Sequence, residues 1–171
     1  MRIAIVSDTH NNMANFKKAI DWIKKDPPLG EAGKISMILH CGDISSQETI
    51  AEAKKYFSAS ADSSGETKGG TIHFVKGNAD FELDDIPEKM ELEVGNKKIA
   101  FCHFPNEAKK MAQSGKYDIV FYGHTHRPWD EKVGKTHMIN PGELAGQFYK
   151  PTFAVYDTET EELELKILEK L

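Results

Sequence analysis

The sequence predicts an α/β fold, a two-layer β-sandwich flanked by helices, on three observations. Apolar runs at residues 3–6, 37–39, 74–75 and 119–122 each end close to glycine or a polar residue, which is how buried strands read. Residues 1–78 alternate these runs with amphipathic segments in the order βαβαβ, whereas the rest of the chain carries strand signals with little helix. Two sheet layers with helices outside them are the simplest architecture for that order.

Each element has its own justification. After the first strand, Met13, Phe16, Ile20 and Ile23 recur at spacings of three and four, one face of an amphipathic helix. Asn11 or Asn12 is placed to cap it, and Asp26-Pro27-Pro28 stops it. The second strand covers about 35–40, and Ser45-Ser46-Gln47-Glu48 has the form of a capping box opening a helix to Phe57. Residues 59–70 are rich in Ser, Gly, Ala and Thr and read as a polar loop. A third strand, 71–76, delivers Gly77-Asn78. Residues 90–94 alternate, Gly95-Asn96 turns, and 98–102 return, the pattern of an antiparallel hairpin. A short helix at 106–113 precedes the strand that ends at Tyr122. Further strands are expected near 135–139, 152–156 and 163–168.

At 171 residues the chain is expected to form one domain, 1–171. Hydrophobic residues at 39% and charged residues at 29% suit a globular protein rather than a disordered one. A formal charge of -5 argues against bulk nucleic-acid binding. A small phosphate ester held by bound cations is compatible with it. No apolar run approaches the roughly 18 residues of a membrane span, so no membrane partner is expected. The first strand starts beside Met1, and no secretory leader is expected. Cys41 and Cys102 are too few for a disulfide framework and read as small buried apolar residues. The expected compartment is cytoplasmic.

The strand ends carry the chemistry. Asp8 and His10 follow the first, Asp43 the second, Asn78 the third, and His124 and His126 the fourth. Ligands of open α/β sheets bind beyond the carboxyl ends of strands, so these groups should converge on one edge. Asp8 and His10 are two apart, as are His124 and His126, and in extended backbone each pair projects to one side. Gly42, Gly77 and Gly123 remove side chains where backbone must approach a ligand. Each short motif alone is commonplace. Together, at successive strand ends, they define a metal site.

Asp8-x-His10, Gly42-Asp43, Gly77-Asn78, a lone His103 and Gly123-His124-x-His126, in that order over nearly the whole chain, resemble the calcineurin-like metallophosphoesterase superfamily. The size and Asn140-Pro141-Gly142 resemble its small YfcE-like phosphodiesterases. The resemblance implies an α-β-β-α sandwich with two divalent metal ions. Carried over by position, Asp8, His10 and His126 hold the first ion, Asn78, His103 and His124 the second, and Asp43 bridges them. Asp43, Asn78 and His103 are also expected to act in catalysis. Four imidazoles, two carboxylates and an amide, with no thiolate, make Mn²⁺ the expected ion, with Ni²⁺, Fe, Zn²⁺ or Mg²⁺ as alternatives.

Two such ions about 3.5–4 Å apart can clamp a phosphate, acidify a bridging water and stabilise the leaving oxygen. The expected activity is therefore phosphodiester hydrolysis by a metal-bridging hydroxide, acting on a small phosphate-ester substrate. The resemblance also implies a homodimer. A phosphomonoesterase on the same site is the first alternative. The second is a non-catalytic protein-binding scaffold, the role of a eukaryotic retromer subunit that resembles this family but has a degraded metal site. None of the seven ligand positions is missing here.

Three positions depart from the family pattern. Phe104 follows His103 where relatives usually have glycine, Glu143 stands where Asn-Pro-Gly is usually followed by serine, and Ala79 follows Asn78 where histidine or cysteine is common. The remaining histidines, His40, His73 and His137, have no partner at ligand spacing and are expected to be structural. The acidic run 159–164 reads as a solvated hairpin. Phe104 and Trp129 flank the site loops, where pocket lining and surface packing suit them equally.

Overall fold

The first strand, β1 (Arg2–Val6), buries both faces and so accounts for the layering. The computed structural model describes residues 1–25, 34–58 and 70–171. After β1 come α1 (Met13–Lys25), β2 (Met37–His40), α2 (Gln47–Ser58), β3 (Thr71–Phe74), β4 (Lys89–Val94), β5 (Lys97–Cys102) and α3 (Pro105–Gln113). β6 (Ile119–Phe121), β7 (Trp129–Val133), β8 (Thr136–Asn140), β9 (Thr152–Asp157) and β10 (Leu163–Ile167) follow, then a 3-10 turn at Leu168–Lys170. The expected helix stop at Asp26-Pro27-Pro28 and residues 59–69 of the expected loop lie outside the described residues.

Ten strands form two five-stranded sheets among the described residues, in the orders β10-β9-β1-β2-β3 and β4-β5-β6-β8-β7. The pairs β1–β2, β2–β3, β5–β6 and β6–β8 are parallel, and β10–β9, β9–β1, β4–β5 and β8–β7 are antiparallel. Ile3 and Ile5 of β1 meet Ile99, Phe101, Phe121 and Ile139 in the core between the sheets. Ala4 and Val6 point the other way, into a core with Phe16, Ile20 and Ile23 of α1 and Ile50 and Phe57 of α2. On the far side, Ala108, Met111 and Ala112 of α3 cover Ala100, Val120 and Met138. Each large apolar side chain so buried is worth about 1.5–3 kcal/mol. The expected α-β-β-α layering is therefore present, and no helix among the described residues is long and apolar enough to cross a membrane.

Local details refine the expectations. Asn12 is the cap of α1, accepting the Asn15 N–H at 3.1 Å. For α2, Ser46 rather than Ser45 caps the helix, taking the Thr49 N–H on its hydroxyl at 3.2 Å. Ser45 instead sits at φ +85° in the turn before it. β7 was not expected. Four of its five residues are exposed, so it lacks the period-two signal of a half-buried strand. It is defined by pairing with β8 at the sheet edge.

Candidate metal centre

All seven expected site residues lie just beyond strand ends, on one edge shared by both sheets. Asp8, His10, Asp43 and Asn78 come from the β1, β2 and β3 ends of the first sheet, and His103, His124 and His126 from the β5 and β6 ends of the second. The turns that carry them are not extended. Asp8 (φ +51°), His10 (+44°), Asp43 (+57°), His124 (+70°) and His126 (+60°) all occupy the left-handed region, which non-glycine residues rarely adopt. The two-apart pairs therefore converge through tight turns, not through strand alternation. The turns hold one another: Asp8 N–H donates to Gly42 O at 3.0 Å, and His10 N–H to Asp43 O at 2.9 Å. At Gly77, a Cβ would lie 2.2 Å from Asp43 Oδ1, and at Gly42 2.7 Å from His103 Nδ1. Any side chain at either position would displace a site residue.

Donor groups lie on either side of Asp43, and Asp8, Asp43 and His103 bring donor atoms within 4.8 Å of one another. On one side, Asp8, His10 and His126 also bring donor atoms within 4.8 Å of one another. His126 Nε2 lies 3.5 Å from Asp8 Oδ1, and the His10 and His126 rings stack at 5.2 Å. On the other, Asn78 Oδ1 lies 3.1 Å from His103 Nε2 and 2.8 Å from His124 Nδ1. Between them, Asp43 Oδ2 lies 3.6 Å from His10 Nε2 and 3.5 Å from His103 Nε2. His10 Nε2 is buried without a hydrogen-bond partner. The arrangement fits cations, because a lone buried nitrogen beside two carboxylates is otherwise costly.

Asp8, Asp43 and His103 are buried, whereas Asn78 and His124 are exposed, so the centre opens on one side. Burial raises the Asp8 pKa, outweighing the nearby imidazoles. Burial pushes Asp43 the same way, but His103, the Ala79 N–H and His10 together hold it below the usual carboxylate range. Burial acts against a charged His103, and Asp43 with Asp8 overcomes it, so its pKa is raised. Burial and then His103 lower that of His124.

Three further residues support the centre without belonging to it. Asp80 is fully buried, and its carboxylate accepts the N–H groups of Asp43, Ser45 and Gly77. Two of its three donors lie 37 and 35 positions away in sequence, so no local signal marks this clamp in advance. His40 accepts the Gly42 N–H on Nδ1 at 3.2 Å and donates from Nε2 to Thr9 Oγ1 at 2.7 Å, propping two of the turns from below. Glu143 reaches His126 Nδ1 at 3.0 Å. His73 lies in β3, and His137 pairs with Asp130 across the β7–β8 hairpin.

Aromatic rings line the rim. Phe104 sits 5.0 Å from His103 and 5.1 Å from His124, and Phe148 sits 4.9 Å from His126. Both are exposed to solvent. Beside the His124–His126 turn lies a cavity of about 400 Å³ whose walls include Asn106, Lys109, Thr125, Arg127, Trp129 and Tyr149. Phe104 thus borders the centre itself, and Trp129 the neighbouring cavity.

Residues 1–161 match the calcineurin-like phosphoesterase superfamily domain, and the chain belongs to that family. A phosphodiesterase of Methanocaldococcus jannaschii is 30% identical over 173 residues, spanning 99% of this chain and 100% of the relative. A probable metallophosphoesterase of Bacillus subtilis is 26% identical over 152 residues, covering 84% of this chain and 75% of its own. Among solved structures, an archaeal phosphodiesterase aligns with a TM-score of 0.76 at 28% identity, covering 98% of this chain and 99% of that one. Vps29 of Chaetomium thermophilum aligns with a TM-score of 0.68 at 18% identity, covering 97% and 92%. That last likeness concerns the fold alone.

Proposed function

We propose that this protein hydrolyses phosphodiesters at a dinuclear metal centre. The observation that carries the reading is Asp43 Oδ2, which faces one imidazole on each side, His10 at 3.6 Å and His103 at 3.5 Å. A carboxylate, anionic and with two oxygens, suits a place between two cations, and the surroundings of Asp43 hold its pKa below the usual carboxylate range. On this reading Asp8, His10 and His126 hold one ion and Asn78, His103 and His124 the other. The donor set of oxygen and imidazole suits Mn²⁺ first, with Fe, Ni²⁺, Zn²⁺ and Mg²⁺ as alternatives. Bound there, two divalent ions supply Lewis acidity toward a phosphate oxygen and toward water.

The chain's own residues do the rest. Asp8 and Asp43 offset the positive charge and fix its position. The exposed side, marked by Asn78 and His124, admits the phosphate. A diester carries two substituents, and the exposed rings of Phe104 and Phe148 on either side of the imidazoles offer apolar surface to both. The name of the Methanocaldococcus jannaschii relative supports the same preference.

The decisive assay strips the protein of metal and adds ions back one at a time, with bis-p-nitrophenyl phosphate and p-nitrophenyl phosphate as substrates. Two ions bound per chain and faster cleavage of the diester are expected. Faster cleavage of the monoester would replace the diester reading, and no cleavage with any ion would remove the enzymatic one.

A further inference from the structure

We propose that Glu143 is a positioning residue whose single carboxylate fixes the tautomer of His126 and ties the Phe148–Tyr149 rim to it. Glu143 is fully buried. Its Oε2 receives Gln147 N–H at 2.9 Å and faces His126 Nδ1 at 3.0 Å. Its Oε1 receives Phe148 N–H at 2.7 Å and Tyr149 N–H at 2.5 Å. Four nitrogens thus surround two oxygens, and the buried carboxylate is fully satisfied.

The consequence follows from donor and acceptor chemistry. An ionised carboxylate accepts and cannot donate. His126 must therefore carry its proton on Nδ1, and the lone pair of Nε2 points toward Asp8 Oδ1, 3.5 Å away. His103 reaches the same tautomer by a different device, donating from Nδ1 to the Cys41 carbonyl at 2.8 Å. A carboxylate behind a ligating imidazole orients the ring and raises its basicity. The serine usual at this position in the resembling family is a shorter hydroxyl that both donates and accepts, so it does not impose one tautomer. The same Glu143 oxygens hold the backbone of Phe148, whose ring meets His126 edge-on at 4.9 Å, and of Tyr149, a wall of the adjacent cavity. Rim and imidazole are thereby one unit.

The tautomer is independent of the metal reading; the effect on ion binding rests on it. The test is a long-range ¹H–¹⁵N correlation spectrum of the histidine rings in metal-free, ¹⁵N-labelled protein at mildly alkaline pH, with His126 assigned through its loss in His126→Ala. The wild type should show Nδ1 protonated and Nε2 bare. In Glu143→Gln the amide oxygen is best placed against Phe148 and Tyr149, which turns the amide NH₂ toward His126 Nδ1, leaves the Gln147 N–H without its acceptor and should move the His126 proton to Nε2. Mn²⁺ titration of that variant should then show one of two ions weakened by about 10–100-fold and the other retained. A wild-type ring protonated on Nε2 overturns the proposal. So does a Glu143→Gln ring with unchanged tautomer and unchanged ion affinity. Should the variant fold poorly, the wild-type spectrum decides by itself. A wild type with the expected tautomer that binds no metal would instead overturn the proposed function and leave the positioning role intact.

Discussion

Asp80 Oδ2 accepts the backbone N–H of Asp43 at 2.8 Å, so a carboxylate outside the centre sets the position of one inside it. The same oxygen takes the Gly77 N–H at 2.8 Å, and Oδ1 takes that of Ser45 at 2.6 Å. Asp80→Asn places an NH₂ against at least one of these donors. A loss of about 1–3 kcal/mol of stability is expected, with weaker binding of both ions because the Asp43 turn is released. Denaturant titration of the metal-free variant measures the first and ion titration the second. Unchanged stability would show that the three amides do not need this carboxylate.

Asp43 should be the least replaceable side chain of the centre. Asp43→Asn keeps its shape and removes the charge that faces His10 and His103. Bound metal should fall at two positions, whereas His126→Ala should empty mainly one. Elemental analysis after dialysis against Mn²⁺ separates the two outcomes, and an Asp43→Asn protein that keeps both ions ends the shared-ligand role.

Ala79 supplies a backbone N–H to Asp43 Oδ1 at 2.8 Å but has no side-chain proton to give. The adjacent Asp80 is no substitute, since both of its oxygens are engaged by amides. General-acid help is worth about 10²–10⁴-fold, and its lack should make the rate depend steeply on leaving-group pKa. A graded series of aryl and alkyl diesters at saturating metal tests this. A flat series would point to a proton donor elsewhere in the site.

Burial lowers the His40 pKa from 6.5 to about 3. Between those values an unfolded chain binds a proton that the folded chain refuses. Stability therefore rises with pH through this window and is lost as pH falls through it, by up to about 1.4 kcal/mol per pH unit from this group. In metal-free protein, His40→Gln should flatten the slope by that contribution while lowering stability at neutral pH. Parallel slopes in the two proteins would assign the acid lability to other groups.

Ser45 sits at φ +85° and, among the described residues, no hydrogen bond from its hydroxyl anchors it there, although its N–H donates to Asp80. Glycine takes that conformation freely. Relief of about 1–2 kcal/mol of strain, less about 0.4–1 kcal/mol for the freer unfolded chain, leaves a small gain. Ser45→Gly should raise the thermal midpoint by about 1–3 °C and leave phosphodiesterase turnover as it was. A lower midpoint would show that the turn is not strained.

Much of this was legible before any coordinates. The apolar runs at residues 3–6 and 119–122 announce buried strands, and polar groups at their ends converge because strand ends do. What was not legible depends on distance in space or on weak local signal. Glu143 stands out as a departure, but its contact with His126 spans 17 positions and two loops. β7 has no alternation because an edge strand with exposed faces needs none. The left-handed turns at Asp8, His10, His124 and His126 replace the extended geometry that two-residue spacing suggests. Asp and His are among the side chains that tolerate that region best, so residue types chosen for chemistry also permit the turn.

β1 is hydrogen-bonded on one side to β2 and on the other to β9, with Ile3 opposite Tyr156 and Ala4 opposite both Ile38 and Val155. During synthesis β1 is made long before its second neighbour, β9. Loop closure over such a separation is slow to be rewarded. The Asp8–His10 turn, anchored at the end of β1, is thus among the first parts of the centre to leave the ribosome and among the last to be locked. A nascent chain can carry nearly every side chain the centre needs and still have no centre, and exposed Ile3 and Ile5 make that interval the one in which misassembly is most costly.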